Sequence, residues 1–333
     1  MLRKKNKGQR HPGLESQPSQ SEGNQSVSMK LRASASPRAT IRRLTRGNAE
    51  ARSGFRRVLL TLFLGWIATD LFAQDVIELN NDKGQPTKRS GQIIDWKANQ
   101  ISLKTKTRTR KINALQVTNI QTQWPVELED ARRLMRSGKF DEAVPKLKTA
   151  RENENRAWVQ QIITAELAQS LDALDQTEAA AIEVLRLYQD DPQTRFFHLI
   201  PLPWLLSQQY PPEGRMGKKM LKSNNSFLAL ISASLLLNGS ERETATQRLQ
   251  QLTTSPDPRI AQLATVQLWR NELLTADKNT VERWQRQISR LPDNLRAGPV
   301  VLLAQAQSRV GVDDAAAINF MKLPILYPEK KSL

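Results

Sequence analysis

Cysteine is missing altogether from the 333 residues. Its absence removes disulfides, thiolate nucleophiles, iron–sulfur clusters and Cys-based zinc sites in one step. Only two histidines occur, His11 and His198, so neither a His-pair metal motif nor a His-rich tract can be assembled. A phosphate-cradling Gly-rich loop, a G-x-S-x-G elbow and an H-E-x-x-H helix are absent too. The expectation is a chain with no metal, no cofactor and no recognisable catalytic constellation. Long apolar runs are equally scarce. The longest, Val58 to Ala68, would span roughly 16 Å as a helix, about half a bilayer core.

Acidic residues are scarce only in places. Residues 1–57 hold 14 Lys and Arg against 3 Asp and Glu, and residues 75–125 hold 9 against 4. Residues 126–333 hold 27 against 25, so most of the chain is close to neutral despite a formal net charge of +17. A basic leader and a basic small module explain the charge. That argues against a nucleic-acid-binding helical body, which would carry the excess on its folded part.

Residues 1–57, rich in Ser, Gln, Arg, Gly and Pro, bury too little surface to offset their ordering entropy and read as a disordered leader. Arg56 and Arg57 then precede the apolar run, in the order of a secretory signal. Residues 58–73 are therefore expected to be a signal peptide cut after Ala73. The alternative is an uncleaved signal anchor, which would be the chain's one contact with a membrane. Extending the run to Ala73 as a span would bury Asp70, at about 2.5–3.5 kcal/mol if central. The expected location is the periplasm or cell envelope.

From residue 75 to 122 the apolar period is two. Val76, Ile77 and Leu79 open a strand, residues 91–96 and 100–105 make two more, and residues 108–112 and 117–122 complete a set of five. Turn residues around Asn80 and Gly84, and Lys97-Ala98-Asn99, separate them. Five short strands in this length predict a small antiparallel β-barrel-like module. It resembles the SH3-like or Sm-like modules of exported bacterial proteins. Within it, Lys104, Lys106, Arg108 and Arg110 alternate with threonines. In an extended chain they would share one face, unless a turn interrupts the run. They are the candidate anion-binding residues, for a polysaccharide or nucleic acid. Neighbouring like charges about 7 Å apart repel by only roughly 0.6 kcal/mol in water, so a solvated hairpin also carries this run without a ligand. No aromatic is interleaved to stack bases.

Beyond Trp124-Pro125 the period becomes helical. The spacing of Ala131, Leu134, Gly138, Phe140, Ala143, Leu147 and Ala150 resembles a tetratricopeptide repeat. In that family small residues let paired helices approach closely, and Gly138 frees the backbone at the first helix end. A second unit runs through Ala168, Leu171, Ala180, Val184 and Leu187, with Asp175 and Thr177 at the turn positions. A third runs through Ala304, Gly311, Ala316, Phe320, Leu323 and Pro328, with Gln307 and Asp313 at two usual apolar or aromatic sites. The stretch between, with Pro201, Pro203, Pro211 and Pro212, cannot be one regular helix. Helices are expected over residues 226–237, from a Ser240/Glu243 capping box to 252, from an Asp257 cap to 274, and over 281–291. This middle resembles HEAT-like helix pairs. The predicted fold of residues 126–333 is thus a mainly α domain, an α-solenoid of TPR/HEAT-like helical hairpins. The few residues after Pro328 leave no room for a capping helix, so an exposed terminal pair or a shortened chain is expected.

His198 sits among apolar residues and reads as packed. Asp190-Asp191 and Asp313-Asp314 read as helix caps. Trp158, Trp204, Trp269 and Trp284 lie in apolar helices and read as core, with a groove lining as the alternative. The resemblance implies an exported, non-catalytic interaction protein whose helical surface holds a peptide or protein partner.

Overall fold

Alternation of apolar and polar residues sets the first element, and the computed structural model places five strands where the period of two runs. It describes residues 74–81, 84–205 and 217–327. The basic leader, the apolar segment with Ala73, and Pro328 fall outside them. The strands are β1 (Asp75–Asn80), β2 (Pro86–Lys97), β3 (Gln100–Lys104), β4 (Thr109–Asn113) and β5 (Val117–Gln121). They form one antiparallel sheet in the order β4-β3-β2-β1-β5. The first half of β2 pairs with β1 and the second half with β3. Gly91 stands at the changeover, where a Cβ would lie 2.6 Å from the Lys104 carbonyl oxygen and 3.0 Å from Leu103 Cγ. No side chain fits there, so glycine is required where β2 changes partner. Ile77, Ile93, Ile101 and Leu103 fill the inner face.

Eleven helices follow among the described residues: α1 (Val126–Arg136), α2 (Phe140–Asn153), α3 (Ala157–Ala173), α4 (Thr177–Asp190), α5 (Lys218–Leu221), α6 (Ser226–Leu236), α7 (Arg242–Leu252), α8 (Pro258–Glu272), α9 (Lys278–Ile288), α10 (Ala297–Arg309) and α11 (Asp313–Leu326). The chain is mainly helical behind a small antiparallel sheet. Helices α1 to α4 pack each on the next, as do α6 to α8 and α9 to α11. Ala131, Ala143, Leu147 and Ala150 are fully buried. Leu134 and Phe140 are half-buried and Gly138 is exposed in the turn.

Three of these hairpins turn in the same way. After α1, Gly138 takes φ +76°, its N–H bonds the Met135 carbonyl, and Lys139 N–H bonds Leu134. After α3, Asp175 takes φ +57°, bonding Asp172, while Gln176 N–H bonds Leu171. After α10, Gly311 takes φ +75°, bonding Ser308, while Val312 N–H bonds Gln307. Each is a Schellman motif, satisfying two carbonyls left over at a helix end. Only the second uses a side-chain-bearing residue in the left-handed region. Asp175→Gly should therefore raise stability by roughly 0.5–1 kcal/mol, relieved strain outweighing the added unfolded-state entropy. Urea midpoints measure it, and a loss of stability would mean that Asp175 is bound by more than its backbone.

One expectation of the middle is corrected. Helix α7 starts at Arg242 with Glu241 as its cap and no side-chain capping bond, so the Ser240/Glu243 box does not form. Arg242 N–H bonds the Gly239 carbonyl, and the Glu241 carboxylate is drawn to Lys218 at 2.7 Å. The helix phase therefore begins two residues after Ser240. Phe320 takes the position of Leu147 in the repeat spacing and is 41% exposed; α3 packs over α2, whereas the main helical contact of α11 is with α10. The Asp257 cap does form, its side chain accepting from Arg259 N–H at 3.0 Å with Pro258 in the first turn.

The apolar interior has two centres that meet at α3 and α4. One joins the sheet to α1, α2 and one side of α3. The other joins the remaining sides of α3 and α4 to everything downstream. The sheet therefore does not own a separate core. Trp158 is the hinge between the two kinds of structure, 1% exposed, with its ring 6.3 Å from Trp96 of β2 and 5.7 Å from Trp124 of the linker.

Candidate functional site

The basic run does not stay extended. Thr105 N–H and its hydroxyl both reach the Arg108 carbonyl, at 2.9 and 2.8 Å, and close a turn between β3 and β4. Across the hairpin Lys104 pairs with Thr109, and Leu103 with Arg110. Since successive side chains alternate, Lys104 and Arg110 fall on opposite faces of the hairpin. The single ridge of four cations expected of an extended chain is corrected to a hairpin tip. Lys104, Lys106 and Arg108 are exposed there, and Arg110 is partly buried.

Lys104 and Lys106 form one wall of an open cleft of about 1120 Å³. Residues 90–92 of β2, the linker through Trp124 and Pro125, the start of α1 at Glu127 and the α2–α3 connection form the rest. Its floor is polar and closed on itself. Asp75, 5% exposed, accepts from Ile93 N–H at 2.7 Å through one oxygen and from the Thr122 hydroxyl through the other. Arg156 then donates to Thr122 Oγ1 at 2.9 Å, to the Gln123 carbonyl at 2.7 Å, and to Glu154 at 2.6 and 3.0 Å. Burial alone would raise the Glu154 carboxyl, but hydrogen bonds from the Arg156 side chain and backbone hold it below the usual range. Every charge in the floor is thus committed to another group. Lys104, Lys106 and Glu127 remain at the rim to meet an incoming molecule.

Such a cleft can grip by shape and by rim charge. The remaining sequence candidates lie elsewhere. His198 Nδ1 is 2.9 Å from the Arg195 carbonyl. Asp191 accepts from Ala98 N–H at 2.7 Å and from Gln193 N–H at 2.9 Å, tying the β2–β3 turn to the end of α4. Asp190, Asp313 and Asp314 are exposed. Trp158, Trp204, Trp269 and Trp284 are all buried, the last two stacked at 4.7 Å, so none lines a groove. Among the described residues no three His, Asp or Glu side chains are grouped to hold a metal ion. No described helix is long and apolar enough to cross a membrane.

The cleft was not legible in the sequence. Its floor joins Asp75, Thr122 and Arg156, and no spacing rule links them. Trp96 and Trp124 were equally silent, although an aromatic in a strand and another in the following linker are the only local signs of a docked sheet. Arg195 lies over Trp96 with its Cζ 3.1 Å from the ring centroid. Burial lowers its guanidinium to about 9.

No family model, no curated protein and no solved structure matches the chain.

Proposed function

We propose that the chain is an exported, non-catalytic scaffold of the cell envelope that holds a protein or peptide partner in the cleft between its sheet and its first helical hairpin. The helical part is read as a TPR-like solenoid, and the sheet as an SH3-like or Sm-like barrel. The observation that carries the reading is the threefold Schellman hairpin, at Gly138, Asp175 and Gly311, with fully buried alanines between the paired helices. A strand order of 4-3-2-1-5, with a long β2 whose halves pair with different neighbours, supports the barrel comparison. The cleft suits a polypeptide because the charged groups of its floor are all hydrogen-bonded within the protein and its rim offers charges of both signs. Export rests on the order of charged and apolar residues over 56–73. Recovery of a mature form beginning at Gln74 from the envelope tests that half.

The partner half is tested by capture from envelope extracts. Lys104→Glu with Lys106→Glu reverses the rim charge at exposed positions and should reduce the captured partner at least tenfold, a loss of about 1.4 kcal/mol or more. Equal capture by both proteins would remove the cleft as the site. The exposed cluster of Lys104, Lys106 and Arg108 supports a second reading, a polyanion reader. It predicts retention on a polyanionic resin that weakens with salt and with neutralisation of those residues. Retention unchanged by both would dispose of it.

A further inference from the structure

Strand pairing brings together lysines that are apart in sequence. In the half of the sheet made by β2, β3 and β4, Lys104 pairs with Gln92 and Thr109, Ser102 with Asp95 and Lys111, and Gln100 with Lys97. Paired residues share a face of the sheet, and successive residues alternate between faces. Ile93, Ile101, Leu103 and Ile112, which pair among themselves or with Trp96 and Arg110, are all buried. The rows that hold the lysines are therefore the outer face. Lys97, Lys104 and Lys111 are exposed on it, and the β3–β4 turn adds exposed Lys106 and Arg108 at one end. Arg110 pairs with Leu103 and belongs to the inner face. Asp95 is the one acidic residue in these rows. None of the five cations forms an ion pair among the described residues.

Three observations choose the ligand. Charge complementarity calls for a polyanion. By strand geometry Lys111 stands about 8 Å and Lys97 about 14 Å from Lys104, comparable with the Debye length of about 10 Å, so the three act on one chain together. The rows hold no aromatic side chain, and Trp96 pairs with buried Ile101 and lies against Trp158, so bases have nothing to stack on. Ile94, 45% exposed, is the only large apolar side chain exposed on these three strands, too little to enter a lipid surface. Gln92, Gln100, Ser102 and Thr109 instead set amides and hydroxyls between the cations, and these match the hydroxyls of a sugar. No helix packs on β3 or β4 beyond isolated contacts, so the face is open. We propose that this face binds a linear acidic polysaccharide, its carboxylates on the lysines and its hydroxyls on the polar side chains between them. The proposal rests on the polyanion reading, to which it adds a ligand class and the residues Lys97 and Lys111.

Lysine acetylation footprinting of the full chain, read by mass spectrometry residue by residue, tests it without interference from the basic leader. Polygalacturonate should slow acetylation of Lys97, Lys104 and Lys111 at least fivefold, and rising salt should remove the protection. Lys146, Lys148 and Lys219, exposed elsewhere, should change less than twofold. Lys97→Gln combined with Lys111→Gln should lower the protection of Lys104 at least threefold. Equal protection of the three distant lysines, or of the face by single-stranded DNA at the same charge concentration, overturns the proposal. Protection of Lys104 and Lys106 without Lys97 and Lys111 also overturns it, but leaves the polyanion reading at the hairpin tip. If none of these lysines is protected by either polymer, both fall.

Discussion

Trp158→Ala should cost about 3–5 kcal/mol and loosen the sheet before the helices. The ring is 1% exposed and lies between Trp96 of β2 and Trp124 of the linker, so its removal opens a cavity where the two kinds of structure meet. Its indole nitrogen makes no hydrogen bond, so the loss is one of packing, and Trp158→Phe should recover a good part of it. Two other ties cross this boundary: Arg195 lies over the Trp96 ring, and Asp191 accepts a single hydrogen bond from Ala98 N–H, the latter contributing about 1.5–3 kcal/mol at most. Hydrogen exchange of amides in β2 and β3 is the discriminating measurement. Their protection should fall more than that of α6 and α8, which belong to the other apolar centre. If exchange rises equally everywhere, the sheet is not held by this ring.

Gly298→Ala should destabilise the chain by about 1–3 kcal/mol or somewhat more. Local reasoning gives the opposite sign, since Ala in place of Gly inside a helix gains about 1 kcal/mol. Packing decides the matter. A Cβ on Gly298 would stand 1.9 Å from Cε2 of Trp204 and 2.3 Å from two further ring atoms. The ring cannot simply retreat. Trp204 is 8% exposed, and its carbonyl accepts from the Gln305 side chain at 3.1 Å. The neighbouring Pro203 carbonyl accepts from the buried Gln267 amide at 3.2 Å. Adding Trp204→Leu to Gly298→Ala should restore part of the lost stability, a non-additivity that a double-mutant cycle in urea reads directly. A stabilising Gly298→Ala would mean that the ring lies elsewhere.

Periodicity carried most of the secondary structure. The five strands fall where apolar residues alternate, and the paired helices fall where small residues recur around a turn. Backbone chemistry explains why the second turn could be read despite its departures. Asp is among the few residues that enter the left-handed region at modest cost, so Asp175 closes the same motif as Gly138 and Gly311. Where the reading failed, a competing contact had taken over. Helix α7 starts at Arg242 with Glu241 paired to Lys218 instead of a Ser240 cap, and a turn at Thr105 divides the basic run.

Composition and order alone decided the chemistry that is ruled out, the helical bias after Trp124 and the places where the backbone had to turn, because those depend on side-chain type and near neighbours. Tertiary structure alone decided which tryptophans join sheet to helix, which polar groups close the cleft floor and which side chains of α11 are left in water. Such contacts join residues 30 to 90 or so positions apart, as Arg156 with Thr122 or Asp191 with Ala98, and no local pattern encodes them.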